Sequence, residues 1–291
     1  MSLELFVQLL VNGLMSGGMY ALVASGFTLI LGVIQVFNFA QGEFYMLGAF
    51  ITYGVVSALG LPYPVAIVAA LLGVAILGVL FHFAVIQRTM LHGFFHTMLV
   101  TVAFGSLVNQ TSLLTFGFRN QVVPPVFSGT VTVGGLTLNP GKLLVIAGAL
   151  VVMMALYYFM KTKMGTAMLA ATENREVAGL QGINAKKVFW ITMGVGSALC
   201  GVAGALVVPV LSASTTMGAN VFTRSMLVVL VGGTGSMAGA LLAAFLVGIL
   251  ESFAFQFVGQ FSLLAIFVFV AVLMFFRPGG LLGKPLPIPG Q

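Results

Sequence analysis

Between Leu5 and Gly42 the chain carries no charged side chain, and it carries none again from Phe44 to Gln87. Stretches this long and this apolar exclude a water-soluble fold. A soluble domain has about 25% charged residues, whereas 5% of these 291 residues are charged and 60% are hydrophobic. No water-facing surface can be built from 11 basic and 5 acidic side chains. A membrane-spanning helix takes roughly 20 apolar residues. The expected fold is therefore all-α: one polytopic integral membrane domain over residues 1–291, with about eight or nine transmembrane helices, some broken or re-entrant.

The apolar runs lie at Leu5–Val33, Phe44–Leu59, Tyr63–Ile86, Phe94–Phe116, Leu143–Met160, Val188–Leu211, Val221–Val231, Ala238–Phe257 and Phe261–Phe276. The first basic residue is Arg88, so the N-terminus lacks the basic start of a secretory signal peptide and the first helix is expected to be retained. Between the fourth and fifth runs, Gly117–Gly141 holds Pro124, Pro125 and Pro140. Within it, Val131–Leu138 alternates about Gly134-Gly135, which predicts a short β-hairpin. Open strand edges are not tolerated in lipid, so this loop belongs outside the bilayer. Basic residues near span ends mark the cytoplasmic side. Lys161, Lys163, Arg175, Lys186 and Lys187 put the 161–187 loop inside, and Arg88, Arg277 and Lys284 agree with that side. Whether the polar and Gly-rich breaks span or re-enter is open, and with it the side of the N-terminus.

Several chemistries are missing. The chain has no Asp, and its acids are Glu4, Glu43, Glu173, Glu176 and Glu251. No run reads GxxxxGK[ST], the loop that cradles nucleotide phosphates. The nearest, Gly135–Lys142, has the wrong spacing. No metal or cofactor is expected in this chain, and nucleotide-driven work must come from a partner. His82, His92 and His96 show no metal-ligand spacing, and Cys200, the single cysteine, reads as a small packing residue. No nucleophile–base set is evident.

Three features remain. First, Ala167–Gln181 favours helix yet is too polar to span. Thr166 is the expected N-cap and Gly182 the residue after the helix end. Leu169, Val177 and Leu180 fall near one face, with Glu173 and Glu176 on another. This segment is either a helical connecting loop or a docking element for a cytoplasmic protein. Second, Asn38-Phe39-Ala40-Gln41-Gly42-Glu43 puts a carboxylate at possible membrane depth, beside a candidate helix break. The alternative is a helix start near the interface, where the helix dipole favours an acid. Third, Gly232, Gly233, Gly235 and Gly239 in GGTGSMAG, like Gly13/Gly17 and Gly201/Gly204, suit close helix packing or a helix break. Arg224 and Glu251 read as interfacial or helix-end charges.

Taken with Gly18-Met19-Tyr20-Ala21-Leu22 and Asn38–Gly42, these motifs make the chain similar to a known family. Gly165–Glu173 with Ala178 and Gly182-Ile183-Asn184, Gly201–Leu206, Gly232–Ala240 and Arg277–Gly283 extend the likeness over nearly the whole length. The chain resembles the LivH-type permease subunit of branched-chain amino acid ABC importers. The resemblance implies a translocation pathway for Leu, Ile or Val, with candidate residues Asn38, Gln41, Gly42 and Glu43. It implies pairing with a second, LivM-like permease, two cytoplasmic ATP-binding subunits that hold ATP and Mg, and an extracytoplasmic substrate-binding protein. It further implies an inner (plasma) membrane location. Residues 161–187 would form the coupling loop, with Ala167, Ala170, Ala171, Glu173, Arg175, Glu176, Ala178, Gly182 and Ile183 toward an ATPase groove. The EAAxxxG string of many ABC importers is incomplete here, because Arg175-Glu176-Val177 stands where its Glu-Ala pair would fall. Other readings are a permease of the same architecture for urea, short amides or sugars, and a stand-alone secondary carrier using Glu43 for a proton or sodium.

Overall fold

The computed structural model describes residues 3–127, 129, 131–133, 136–173 and 175–283. The turn at Gly134-Gly135, Asn174 and the tail from Lys284 onward lie outside the described residues.

Helix α1 runs Leu3–Ile34, and α2 runs Gln41–Tyr53, continuing as a π-helical turn through Ala58. Helix α3 (Tyr63–Phe81) passes through another π turn into α4 (Gln87–Thr89), and α5 is Phe94–Phe116. Strands β1 (Val131–Val133) and β2 (Leu136–Leu138) pair antiparallel, Val131 opposite Leu138. Then follow α6 (Pro140–Met160), α7 (Lys163–Glu173), α8 (Arg175–Leu180), α9 (Ala185–Leu211), α10 (Met217–Gly232), α11 (Met237–Val258) and α12 (Ser262–Phe276). Among the described residues, six helical stretches are long and apolar enough to cross a membrane, and one of these, Met237–Phe276, contains the α11–α12 corner at Gly259. Gly259 has φ 58, a left-handed backbone that glycine adopts without cost. The chain is thus an all-α, multi-pass membrane protein carrying one small hairpin.

The core is two helices deep. Buried residues make up 89% of the most apolar window of α1 and 72% of that of α9, against 17% for α5 and 22% for α6, so α1 and α9 form the axis and the others surround it. The peripheral helices present Val68, Leu72, Ile76, Leu99, Leu107 and Val151 outward, as lipid-facing helices must. Lipid offers apolar side chains as good an environment as the protein interior, so helices associate through close packing of small residues. A Cβ on Gly204 would lie 2.0 Å from the Tyr45 carbonyl oxygen, and one on Gly48 would lie 2.1 Å from that of Gly201. One on Gly13 would lie 2.6 Å from Ile249 Cα, and one on Gly248 2.4 Å from the Gly17 nitrogen. These glycines weld α2 to α9 and α1 to α11.

In GGTGSMAG a helix break and close packing occur together, the chain leaving helix after Gly232 and resuming it at Met237. Gly235 meets nothing within 4 Å and has φ 84. It precedes Ser236, whose side chain caps α11 by accepting from the Gly239 N–H, so no helical i, i+4 register exists there. Gly239 packs instead on the Gly232 carbonyl, and Gly233 packs on Gly279 and Gly283. The tail closes this contact, with the Leu281 and Leu282 N–H groups donating to the carbonyls of Val231 and Gly232. Orphan carbonyls at the end of α10 are thereby satisfied.

Both ends of the bundle can be assigned. Lys142 donates to Asn12 beside the hairpin loop, whose Gln121 pairs with Ala213 after α9. At the other end, Gly32 of α1 packs against Thr172 of α7, near the cluster of Lys161, Lys163, Lys186 and Lys187. The basic end is the one that the distribution of Lys and Arg marks for the cytoplasmic side, and the start of α1 lies at the opposite end.

Candidate functional site in the middle of the bilayer

Helix α1 reaches the basic end of the bundle at Ile34, and the chain then turns back at Gln35, which has φ 61. It re-enters the protein before α2 starts. Gln41 Nε2 donates to the Gly196 carbonyl at 3.0 Å and contacts Cys200 Sγ at 2.9 Å, both midway along α9. Gly105, midway along α5, has Ala40 and Glu43 as neighbours. Helix α2 therefore begins at mid-depth. Helix α10 is likewise interrupted: its 16 residues extend about 24 Å at 1.5 Å per residue, short of a hydrocarbon core of about 30 Å.

The starts of these two broken helices touch. A Cβ on Gly42 would stand 2.4 Å from the Gly218 carbonyl oxygen, and one on Gly218 would stand 2.8 Å from that of Gly42. Glu43 Oε2 lies 3.2 Å from the position a Gly218 Cβ would take. A carboxylate in the first turn of α2, against the first turn of α10, sits where both helix dipoles favour negative charge. Glu43 is thus at a helix start, but at mid-membrane rather than at the interface.

Beside Glu43 lies a cavity of about 590 Å3, walled by α2, α5 and α10. Its polar lining includes Glu43, Ser106, Asn109, Gln110, Thr215 and Asn220, and Phe39, Val102 and Phe222 give it apolar walls. Asn109 holds the site together: its Nδ2 donates to the Thr215 carbonyl at 2.7 Å and to Glu43 Oε2 at 3.4 Å. A larger cavity of about 770 Å3, lined by Tyr63, Ile67, Phe127, Leu144 and Leu206 among others, is almost entirely apolar and offers a polar solute no partner.

Of the four pathway candidates, Gly42 and Glu43 line the mid-membrane cavity. Asn38 and Gln41 are fully buried in packing. Asn38 Nδ2 donates to Gln41 Oε1, and Asn38 Oδ1 accepts from the Ala40 N–H, which shapes the turn into α2. Sequence reasoning missed Ser106, Asn109 and Gln110. Their i, i+3, i+4 spacing in an otherwise apolar helix was the available signal.

Arg224 and Glu251 are not separate interfacial charges. Arg224 Nε donates to Glu251 Oε1 at 2.5 Å, joining α10 to α11, and the Tyr20 hydroxyl of α1 donates to Glu251 Oε2 at 2.5 Å. Their side chains are 22% and 14% exposed. Intramembrane charges are tolerated when paired, which is the physical reason they meet here. His82 is buried between helices, whereas His92 and His96 are exposed with ring centroids 5.2 Å apart.

At the basic end, the polar segment is helical over Lys163–Glu173 (α7) and Arg175–Leu180 (α8), so helix starts four residues before the expected Ala167. The N-cap is Thr162, whose Oγ1 accepts from the Gly165 N–H at 3.3 Å. Thr166 lies inside α7 and returns its hydroxyl to the Thr162 carbonyl. Gly182 follows α8 with φ 82, and the Ile183 N–H closes onto the Ala178 carbonyl. Gly165, Met168, Ala171 and Ala178 face the protein. Glu173, Leu169, Val177 and Leu180 face outward, with Leu180 88% exposed. Ala167, Ala170 and Ile183 are half-buried. Arg175 and Glu176 belong to α8.

Two interrupted helices whose starts meet at a polar cavity inside a multi-pass bundle define a membrane permease. Residues 9–276 match the family described as branched-chain amino acid transport system / permease component, and the chain belongs to that family. It is 29% identical to the high-affinity branched-chain amino acid transport system permease protein BraD of Pseudomonas aeruginosa over 96% of both chains. It is 28% identical to the permease protein LivH of the corresponding system in Escherichia coli K12, again over 96% of both. The probable branched-chain amino acid transport permease protein LivH of Methanocaldococcus jannaschii is 24% identical over 84% of this chain and 80% of that one.

Proposed function

We propose that the chain is the membrane-spanning subunit of an ABC importer of the bacterial inner membrane, forming a pathway for leucine, isoleucine and valine. The observation that carries this reading is the family match over residues 9–276. The cavity at mid-depth supplies the pathway with a polar step between its two faces. The energy comes from two cytoplasmic ATP-binding subunits, which hold ATP and Mg, while this chain binds no cofactor. A second, LivM-like permease completes the pathway, and an extracytoplasmic binding protein delivers substrate.

In this reading α7 and α8 transmit the ATPase stroke. Leu169, Val177 and Leu180 are apolar groups turned to the aqueous side of the membrane, and Glu173 stands exposed beside them. Such a surface suits burial in a protein groove, because exposed apolar clusters mark interaction sites. Thr172 packs against Gly32 near the end of α1, so a push on α7 reaches the segment that leads into the site.

The test is reconstitution. The chain, co-purified with its neighbouring subunits and placed in proteoliposomes with the binding protein, accumulates leucine only with ATP. Uphill accumulation by this chain alone refutes the reading. Accumulation of urea or a sugar in place of branched-chain amino acids refutes the substrate assignment.

A further inference from the structure

The mid-membrane cavity has a chemical asymmetry that points to its occupant. Among the described residues, the only ion pair joins Arg224 to Glu251, so no cation neutralises Glu43. Yet Glu43 is 9% exposed and sits far from either membrane surface. A carboxyl group in such a place is held as the ion only by a counter-charge or several short hydrogen bonds. Its side-chain hydrogen bond is the long one from Asn109, at 3.4 Å. The two helix starts supply partial positive charge, which favours the ion without filling its cavity-facing side. The same cavity is lined by Phe39 and Phe222, their ring centroids 5.3 Å apart, and by Val102. The site thus joins one unneutralised acid to an aromatic and aliphatic wall, within about 590 Å3.

We propose that this cavity is the permease's own substrate subsite, in which Glu43 receives the α-ammonium group of an amino acid while Phe39, Val102 and Phe222 enclose its aliphatic side chain. Asn109 is a positioning residue: it fixes the Glu43 carboxylate and ties α5 to the Thr215 carbonyl at the entrance to α10. The subsite selects a cationic amino group attached to an apolar body. It does so independently of whatever the soluble binding protein recognises. The inference rests on the permease reading, and it assigns to this chain a selectivity of its own.

The test uses the native chain in its complete transporter, without binding protein. Dicyclohexylcarbodiimide modifies carboxyl groups in apolar surroundings, and peptide mass spectrometry reports how fast Glu43 is labelled. Leucine and leucinol, which both carry the ammonium group, are expected to slow labelling about tenfold or more, in keeping with a charged hydrogen bond. 4-Methylpentanoate, which has the same side chain and no amino group, is expected to leave it unchanged. The proposal is overturned if 4-methylpentanoate protects as well as leucine, if sodium ion alone protects as well as leucine, or if Glu43 is not labelled with or without ligand. ATP-driven leucine uptake by the same transporter with the binding protein added back separates the two levels: uptake without protection defeats the subsite alone, and no uptake of any branched-chain amino acid defeats the permease reading. In a second measurement, equilibrium binding of radiolabelled leucine to the same preparation is kept by Glu43→Asp and lost by Glu43→Gln. Equal binding in both variants also overturns the proposal.

Discussion

The α2–α9 contact places Glu43, so its sensitivity to one methyl group is a direct measure of how the site is built. Consider Gly204→Ala. The new Cβ would lie 2.0 Å from the Tyr45 carbonyl oxygen and 3.0 Å from the Ala49 nitrogen, both backbone atoms that cannot swing aside. Ordinary contact begins at 3.4 Å, so the helices must separate locally by about 1.4 Å. Inserting a methyl group into a packed interior costs about 1–3 kcal/mol. A counter-effect exists, because Ala is favoured over Gly in a helix by about 1 kcal/mol. Gly54→Ala isolates it: Gly54 has φ −60 and meets nothing within 4 Å. Unfolding of the purified protein in detergent, followed by heat or denaturant, should therefore show Gly204→Ala destabilised and Gly54→Ala neutral or stabilised. Leucine uptake should fall only in the first, because α2 shifts with its Glu43. If Gly204→Ala proves as stable as the parent, the claim that backbone contact sets the α2–α9 spacing is wrong.

Other perturbations follow from the same geometry. Breaking the Arg224–Glu251 pair by Arg224→Met or Glu251→Leu alone leaves one buried charge and should cost about 3–5 kcal/mol. The double variant should recover most of that, and a double-mutant cycle with no coupling would remove the pair's structural role. Gln41→Leu strips the acceptor from Asn38 and removes the second donor to the Gly196 carbonyl. An expected loss of about 1–3 kcal/mol is read from the same unfolding curves, and a neutral result would mean that the turn into α2 does not depend on this network. Glu173→Arg reverses an exposed charge on α7, and Gly182→Pro forces φ near −65° at a residue that holds 82°. Both variants should insert normally and lose ATP-driven uptake, and full uptake in both would count against coupling through this segment.

The spans were legible because hydropathy and helix punctuation act locally. Helix α5 begins and ends at the predicted residues, Phe94 and Phe116, since Gly93 and Gly117 both take positive φ at its borders. The hairpin was legible for the same reason, its two strands alternating on either side of Gly134-Gly135. Failures arose where two local signals competed or where depth mattered. Thr162 and Thr166 are both capable caps, and Thr162 wins because helix resumes within two residues of the end of α6, before the second threonine is reached. Hydropathy is one-dimensional, so it shows that Asn38–Glu43 interrupts an apolar pattern but not that the interruption lies at mid-bilayer. Arg224 and Glu251 are separated by a whole turn-back of the chain. Each looks like a helix-end charge until α10 and α11 are laid side by side.

The glycine contacts and the polar cavity have a common physical origin. A helix that starts inside the bilayer exposes N–H groups that lipid cannot satisfy. Those of α2 and α10 must therefore start against protein, and close approach of two backbones requires residues without a Cβ, which is what Gly42 and Gly218 provide. Once the two starts meet, their combined partial positive charge makes that spot hospitable to one carboxylate, and Glu43 occupies it. The carboxylate in turn needs polar neighbours, and Asn109 comes from the peripheral helix α5. That helix is only lightly packed elsewhere: its buried residues are Thr97, Thr101, Gly105 and Ser112, all small, along one narrow stripe. A wall built this way can move relative to α1 and α9 without breaking the axis of the bundle. Replacing Gly105 with Leu should test that mobility. The new side chain would enter the 3.5–3.8 Å gap to Ala40 and Glu43, pinning α5 outward. Uptake should drop while stability of the α1–α9 core, read as the unfolding midpoint, changes little. A matching collapse of the midpoint would show instead that α5 is part of the rigid core.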